Sequence, residues 1–116
     1  MSSLLRFTNV ISIAAINNNG NLWSLSNYGN KVNVAAPGES IISILPNNQY
    51  AFEDGTSMAT PFVTGVAALL KSKSSELTPN QIKNIIISNV KKISGLTNYV
   101  GSGGIVNAYS SLMKIY

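Results

Sequence analysis

The sequence predicts an α/β fold, strands first and helices after, on three observations. Short β-branched apolar runs, punctuated by Asn, Gly and Pro, fill the first half of the chain. The apolar period then changes from two to about 3.6 around Gly55-Thr56-Ser57. Beyond that point lie helix-patterned stretches with their own start and stop residues. At 116 residues, with no internal repeat and no linker-like break, the chain is one domain or a portion of one.

Residues 1–9 carry no period and read as an irregular entry segment. Val10 to Ile16 is almost continuously apolar and β-branched, the pattern of a strand covered on both faces. Nothing ahead of it is fit to cover it, so the run points to part of a larger sheet. Asn17 to Asn21 is a turn cluster with Asn-Gly at its centre. Leu22 to Asn27 alternates in part, and Tyr28-Gly29-Asn30 turns again. Val32 to Ala36 reads as a second buried strand, stopped by Pro37-Gly38, and Ile41 to Leu45 as a third, stopped by Pro46-Asn47-Asn48. Tyr50-Ala51-Phe52 is a short fourth strand leading into the glycine turn.

After Ser57, Met58, Phe62, Val66 and Leu69 or Leu70 fall at helical spacing, and Phe62 to Lys73 is the best helical segment. Pro61 disfavours helical dihedrals at Thr60, which by local rules alone starts this helix at Pro61. Thr78-Pro79-Asn80-Gln81 is a second helix start, with Thr78 as N-cap, Pro79 at the first position and Gln81 closing a capping box. Ile82, Ile85, Ile86, Val90 and Ile93 form its stripe, and Lys91, Lys92 and Gly95 mark its end. Thr97 to Gly104 reads as loop, and Asn107 as the cap of a last helix, Ala108 to Lys114.

Composition excludes several functions. Apolar residues make up 45% of the chain, which argues for a packed core over disorder. No window reaches ~18 consecutive apolar residues, so no membrane span is expected, and the first residues do not pattern as a signal peptide. The net charge of +4 comes from eight basic and four acidic residues. Its lysines are dispersed, Lys71 and Lys73 at one helix end and Lys91 and Lys92 at another, where they complement helix dipoles. Nucleic-acid binding wants clustered basic residues with interleaved aromatics, and neither occurs, so no nucleic-acid partner is expected. There is no cysteine and no histidine, so thiolate chemistry is excluded and any imidazole base must come from elsewhere. Glu39, Glu53, Asp54 and Glu76 are scattered, with no calcium-loop spacing and no evident cofactor site.

The candidate site is Gly55-Thr56-Ser57-Met58-Ala59-Thr60-Pro61. A serine at a helix N-terminus lies among N–H groups that lack intrahelical partners, at the positive end of the helix dipole. That setting favours a developing negative charge, as acyl transfer requires. Gly-Thr-Ser alone is far more often an ordinary cap, because the tripeptide is common at turns and helix starts. The longer string, continuing through Val63, Gly65, Ala67, Ala68 and Leu69, resembles the nucleophile segment of the subtilisin-like serine proteases, the subtilases. Val10 to Ile16, Ser24 to Gly29, Val34 to Gly38, the Thr78-Pro79 helix and Gly103 to Ala108 resemble other blocks of that family, in the same order.

The resemblance implies the C-terminal portion of a subtilisin-like, mostly parallel sheet with flanking helices, residues 10–116 being a partial catalytic domain. It starts the first helix nearer the serine and tolerates Pro61 in an early turn. It matches Ser57 to the nucleophile and its N–H to an oxyanion donor, Thr56 to a flanking position and Gly55 to a close-approach glycine. Glu53 and Asp54 fall towards the leaving-group side, where a carboxylate would bias cleavage towards basic residues. The implied substrate is a polypeptide, and secretion is implied by family alone. Many subtilases bind structural calcium, yet no position here is matched to it. The family's catalytic Asp and His blocks and its oxyanion Asn precede all the matched segments, so the implied partner is an N-terminal half, without which the chain is expected inactive. Phe62 stands where the family usually carries a histidine that is not the general base. Two other readings stay open: a non-catalytic module that binds protein through a sheet edge, and a sedolisin-like carboxyl serine protease, which Met58 to Pro61 suits less well.

Overall fold

The computed structural model describes residues 10–39, 41–45, 47, 49–53 and 55–115. In chain order the elements are β1 (Ile13–Ile16), β2 (Val34–Pro37), β3 (Ile41–Leu45), β4 (Gln49–Glu53), α1 (Thr56–Lys73), α2 (Pro79–Ser88), β5 (Lys91–Lys92), β6 (Gly104–Ile105) and α3 (Ala108–Met113). A 3₁₀ turn at Ser94–Leu96 separates β5 from β6. The main sheet runs β1-β2-β6-β5. Its first two pairings are parallel and the last, β5 with β6, is antiparallel.

Alternation along the strands sends side chains to two cores. Ala15, Val34 and Ala36 meet Ala59, Val63, Val66 and Leu70 of α1 and Ile86 of α2. On the other face Ala14, Ile16 and Ala35 pack with Val32, Leu96 and Val100. The first strand is therefore covered on both faces, as its apolar run predicts. Its cover among the described residues comes from later in the chain, from α1 and α2 on one face and from Val32, Leu96 and Val100 on the other. In parallel sheets the covering layers are crossover segments remote in sequence.

Ile41–Leu45 forms the strand its sequence predicts, but in a separate antiparallel pair with β4, Ile41 opposite Glu53 and Leu45 opposite Gln49. The connection is too short for a crossover, so only an antiparallel return is available. One expectation is corrected: Lys91 and Lys92 do not end a helix. α2 stops at Ser88, where the Asn89 side-chain amide donates to the Ile85 carbonyl at 2.7 Å. The two lysines then run exposed along the sheet edge opposite Ile105 and Gly104. Charges there discourage pairing with another chain. A Cβ on Gly104 would lie 2.6 Å from the Lys91 carbonyl oxygen, so this approach needs glycine.

The caps form as expected. Thr78 Oγ1 accepts from the Gln81 N–H at 3.2 Å, and Gln81 Oε1 accepts from the Thr78 N–H at 2.9 Å. Asn107 Oδ1 accepts from the Ser110 N–H at the start of α3. α1 begins at Thr56, five residues ahead of Pro61, so the starting point implied by the resemblance prevails over the local proline rule. The expected entry segment, residues 1–9, lies outside the described residues.

Candidate active site

The chain enters α1 through a glycine that no other residue would replace without strain. Gly55 is the N-cap, at φ 132°, a region that L side chains rarely adopt. Its carbonyl accepts from the N–H groups of Met58 at 3.0 Å and Ala59 at 3.3 Å. Thr56 and Ser57 are the first and second residues of α1, so their N–H groups precede the first helical bond. That is the anion-favouring end of an 18-residue helix.

Pro61 adds a second feature. It has no N–H, so the carbonyl of Ser57, four residues earlier, lacks its usual helical donor. The first turn is thus defined at both ends by residues that restrict it, Gly55 before the serine and Pro61 after it.

The turn is fastened to the sheet by Gly38. The Ile16 carbonyl accepts from the Gly38 N–H at 3.0 Å, and the Gly38 carbonyl accepts from the Gly55 N–H at 2.6 Å. A Cβ at Gly38 would meet Ala15 Cβ and the Gly55 oxygen at 2.6 Å each, and Ala59 Cβ at 3.2 Å. Gly38 follows β2 directly, so the serine turn sits at the carboxyl end of the parallel strands, where open α/β sheets place their ligands. Sequence reading took Gly38 as a strand stop only. The available signal was Pro-Gly at the end of a buried strand.

Of the predicted site residues, Gly55, Thr56 and Ser57 are thus brought together on one turn by the backbone. Glu53 ends β4, opposite Ile41. Asp54 lies outside the described residues. Among the described residues no group of three or more His, Cys, Asp or Glu is placed to hold a metal ion. Among the described residues no helix is long and apolar enough to cross a membrane.

Residues 3–103 match the model of the subtilase family. The chain belongs to the subtilases. It is 43% identical over 106 residues to thermitase of Thermoactinomyces vulgaris, covering 91% of this chain and 37% of thermitase. Subtilisin Savinase of Lederbergia lenta is 42% identical over 103 residues, covering 89% of this chain and 38% of that protein. Among solved structures, a protease of Pseudoalteromonas arctica PAMC 21717 superposes with a TM-score of 0.84 at 29% identity, over 98% of this chain and 38% of that one. This subtilase chain thus spans less than two fifths of each of these relatives. The α/β class and mostly parallel sheet expected from the sequence are those of the family's solved members.

Next to the serine turn, Ile41, Met58, Pro61 and Phe62 line a hollow of about 290 Å³ between the hairpin and α1. Ser26 was not singled out in the sequence. Its Oγ accepts from the Ala15 N–H at 2.8 Å and donates to the Asn27 carbonyl, while the Ala15 carbonyl accepts from Trp23. It thereby closes part of the outer edge of β1.

Proposed function

We propose that residues 10–116 form the C-terminal part of a subtilase catalytic domain that hydrolyses peptide bonds in polypeptides, with Ser57 as nucleophile. The observation that carries this is the placement of Ser57 at the second position of α1, on a Gly55 turn tied to the sheet through Gly38. In the complete site Ser57 Oγ bonds to the scissile carbonyl carbon while a base takes its proton. The Ser57 N–H, ahead of the first helical bond, donates to the oxygen that gains negative charge. The C–N bond of the tetrahedral species then breaks as the base passes its proton to the departing amine. Water, deprotonated by the same base, hydrolyses the acyl-enzyme to a carboxylic acid product, and the proton returns to Ser57 Oγ. Thr56 shapes the oxyanion side, Gly55 allows close backbone approach beside the scissile bond, and Glu53 and Asp54 flank the leaving group.

The chain has no histidine, so it has no imidazole to serve as base. In subtilisin, loss of the serine or the histidine alone costs about 2 × 10⁶ in turnover. Loss of one oxyanion donor costs on the order of 10²–10³. The isolated chain is accordingly proposed to be inactive and to require an N-terminal half carrying Asp, His and the oxyanion Asn. Fluorophosphonate labelling tests this. The chain alone should remain unlabelled, and Ser57 should label once the chain replaces the matched 106 residues of thermitase. Labelling of the isolated chain overturns the inactivity; absence of labelling in the folded chimera overturns Ser57 as nucleophile.

A further inference from the structure

The loop between β5 and β6 encloses a hollow of about 380 Å³ that the serine chemistry does not use. Its polar lining is Lys92, Ser94, Thr97 and Ser102, beside Gly101 and Gly103. Small-molecule sites span about 300–1,000 Å³, and this hollow falls within that range. All of its lining comes from one stretch of this chain, so it does not depend on the partial-domain reading.

The backbone of the loop is already committed. The Ile93 N–H donates to the Gly103 carbonyl at 3.0 Å and the Gly103 N–H to Val100 at 2.9 Å. The Gly101 N–H donates to Val32 at 2.6 Å and the Ser102 N–H to Asn33 at 3.2 Å. These bonds fix the walls and leave side chains as the donors for a ligand. Lys92, Ser94 and Thr97 are exposed, and Ser102 is half-buried. Ser102 Oγ is buried with no hydrogen-bond partner among the described residues. Buried hydroxyls are nearly always paired, because an unpaired one forfeits its bond to water without replacement.

The donors decide the class of ligand. No acidic residue lines the hollow, so a metal ion would meet an ammonium and no carboxylate. An anion is favoured instead. A planar carboxylate is best met by the fork of an arginine, and the hollow has none. One lysine point charge with three separate hydroxyls suits an anion whose oxygens point in several directions. We propose that this hollow binds a tetrahedral oxyanion, a phosphate ester or free phosphate, through the Lys92 ammonium and the hydroxyls of Ser94, Thr97 and Ser102. Ser102 Oγ turns about its single χ1 bond to donate to the anion, which supplies the partner the free loop does not.

Proton–nitrogen spectra of the 116-residue chain, titrated with inorganic phosphate, glucose 6-phosphate and acetate at constant ionic strength, test the proposal. The amides from Lys92 to Gly103 should shift saturably with phosphate, at a Kd of about 1–10 mM. Acetate should bind at least about tenfold more weakly. Tighter binding of glucose 6-phosphate than of phosphate makes the natural ligand an ester, and the reverse order makes it the free ion; either order upholds the site. Ser102→Ala should weaken phosphate binding about tenfold while leaving Tm unchanged or raised, because it removes a hydroxyl that the free loop leaves unpaired. A purely structural serine would instead lower Tm and leave binding alone. Lys92→Gln should weaken binding at least about tenfold at unchanged Tm. Unweakened binding in either variant overturns the assignment, as do equal shifts with acetate and shifts spread alike over Lys71, Lys83 and Lys114. The thermitase chimera, which carries the same loop, gives the same reading where a variant of the chain alone does not fold. None of these outcomes bears on Ser57, whose labelling is a separate readout.

Discussion

Gly38 and Gly55 carry different constraints although both are glycines at one turn. At Gly55 the constraint is its own dihedral, φ 132°, where a Cβ costs about 1–3 kcal/mol in backbone strain. At Gly38 it is space, with two atoms 2.6 Å from the missing Cβ, one of them backbone. Gly38→Ala must shift the Gly55 turn or the β1–β2 pair. It is expected to lower stability by about 1–3 kcal/mol, read from the urea midpoint at constant m. In the chimera it should also reduce the fluorophosphonate labelling rate, which a merely destabilising core change elsewhere would not do while the protein remains folded. Gly55 was visible in the sequence because its motif is contiguous. Gly38 was not, because its partners Ala15 and Gly55 are remote in sequence and their meeting depends on the sheet register.

At the scale of elements, what local chemistry decides was legible and what pairing decides was not. The capping box at Thr78 and Gln81 involves four consecutive residues and formed as read. Thr78→Ala is expected to cost about 1 kcal/mol in the isolated chain, measured by chemical denaturation. The fate of Lys91 and Lys92 was not legible. The 3.6 period runs on through Val90 and Ile93, but pairing with Gly104 and Ile105 claims the backbone after Asn89. In α1 the start at Thr56 contradicts the local rule for Pro61, because the Gly55 turn and burial of Ala59 against the sheet outweigh one lost hydrogen bond. Gly65→Ala supplies a test in the opposite direction. With nothing near the new methyl group, it should stabilise the isolated chain by roughly 0.5–1 kcal/mol. A higher Tm is the expected reading.

For the whole molecule, the sheet order β1-β2-β6-β5 leaves β1 and β5 at the edges among the described residues. They are managed differently. β5 exposes two lysines, whereas the outer edge of β1 is closed at Ala15 by Ser26 and Trp23. Ser26→Ala removes the acceptor from a buried N–H and is expected to cost about 1–3 kcal/mol. Loss of protection at the Ala15 amide in hydrogen exchange would locate that cost. The double covering of β1 was legible from its apolar run, but the identity of the covering layers was not, since those layers follow more than forty residues later in part. The absence of an imidazole was legible without any geometry, because the chain has no histidine.

The hydrogen bond from Gly55 to Gly38 has a kinetic side. Amides at a helix N-terminus ordinarily exchange fast, since fraying frees them without disturbing the fold. The Gly55 amide is held instead by a residue that is itself bonded to the end of β1. Its proton should therefore exchange with the slow set of the β1–β2 pair, ahead of which the serine cannot leave its position. The segment that bears Ser57 is expected to open only when the sheet does.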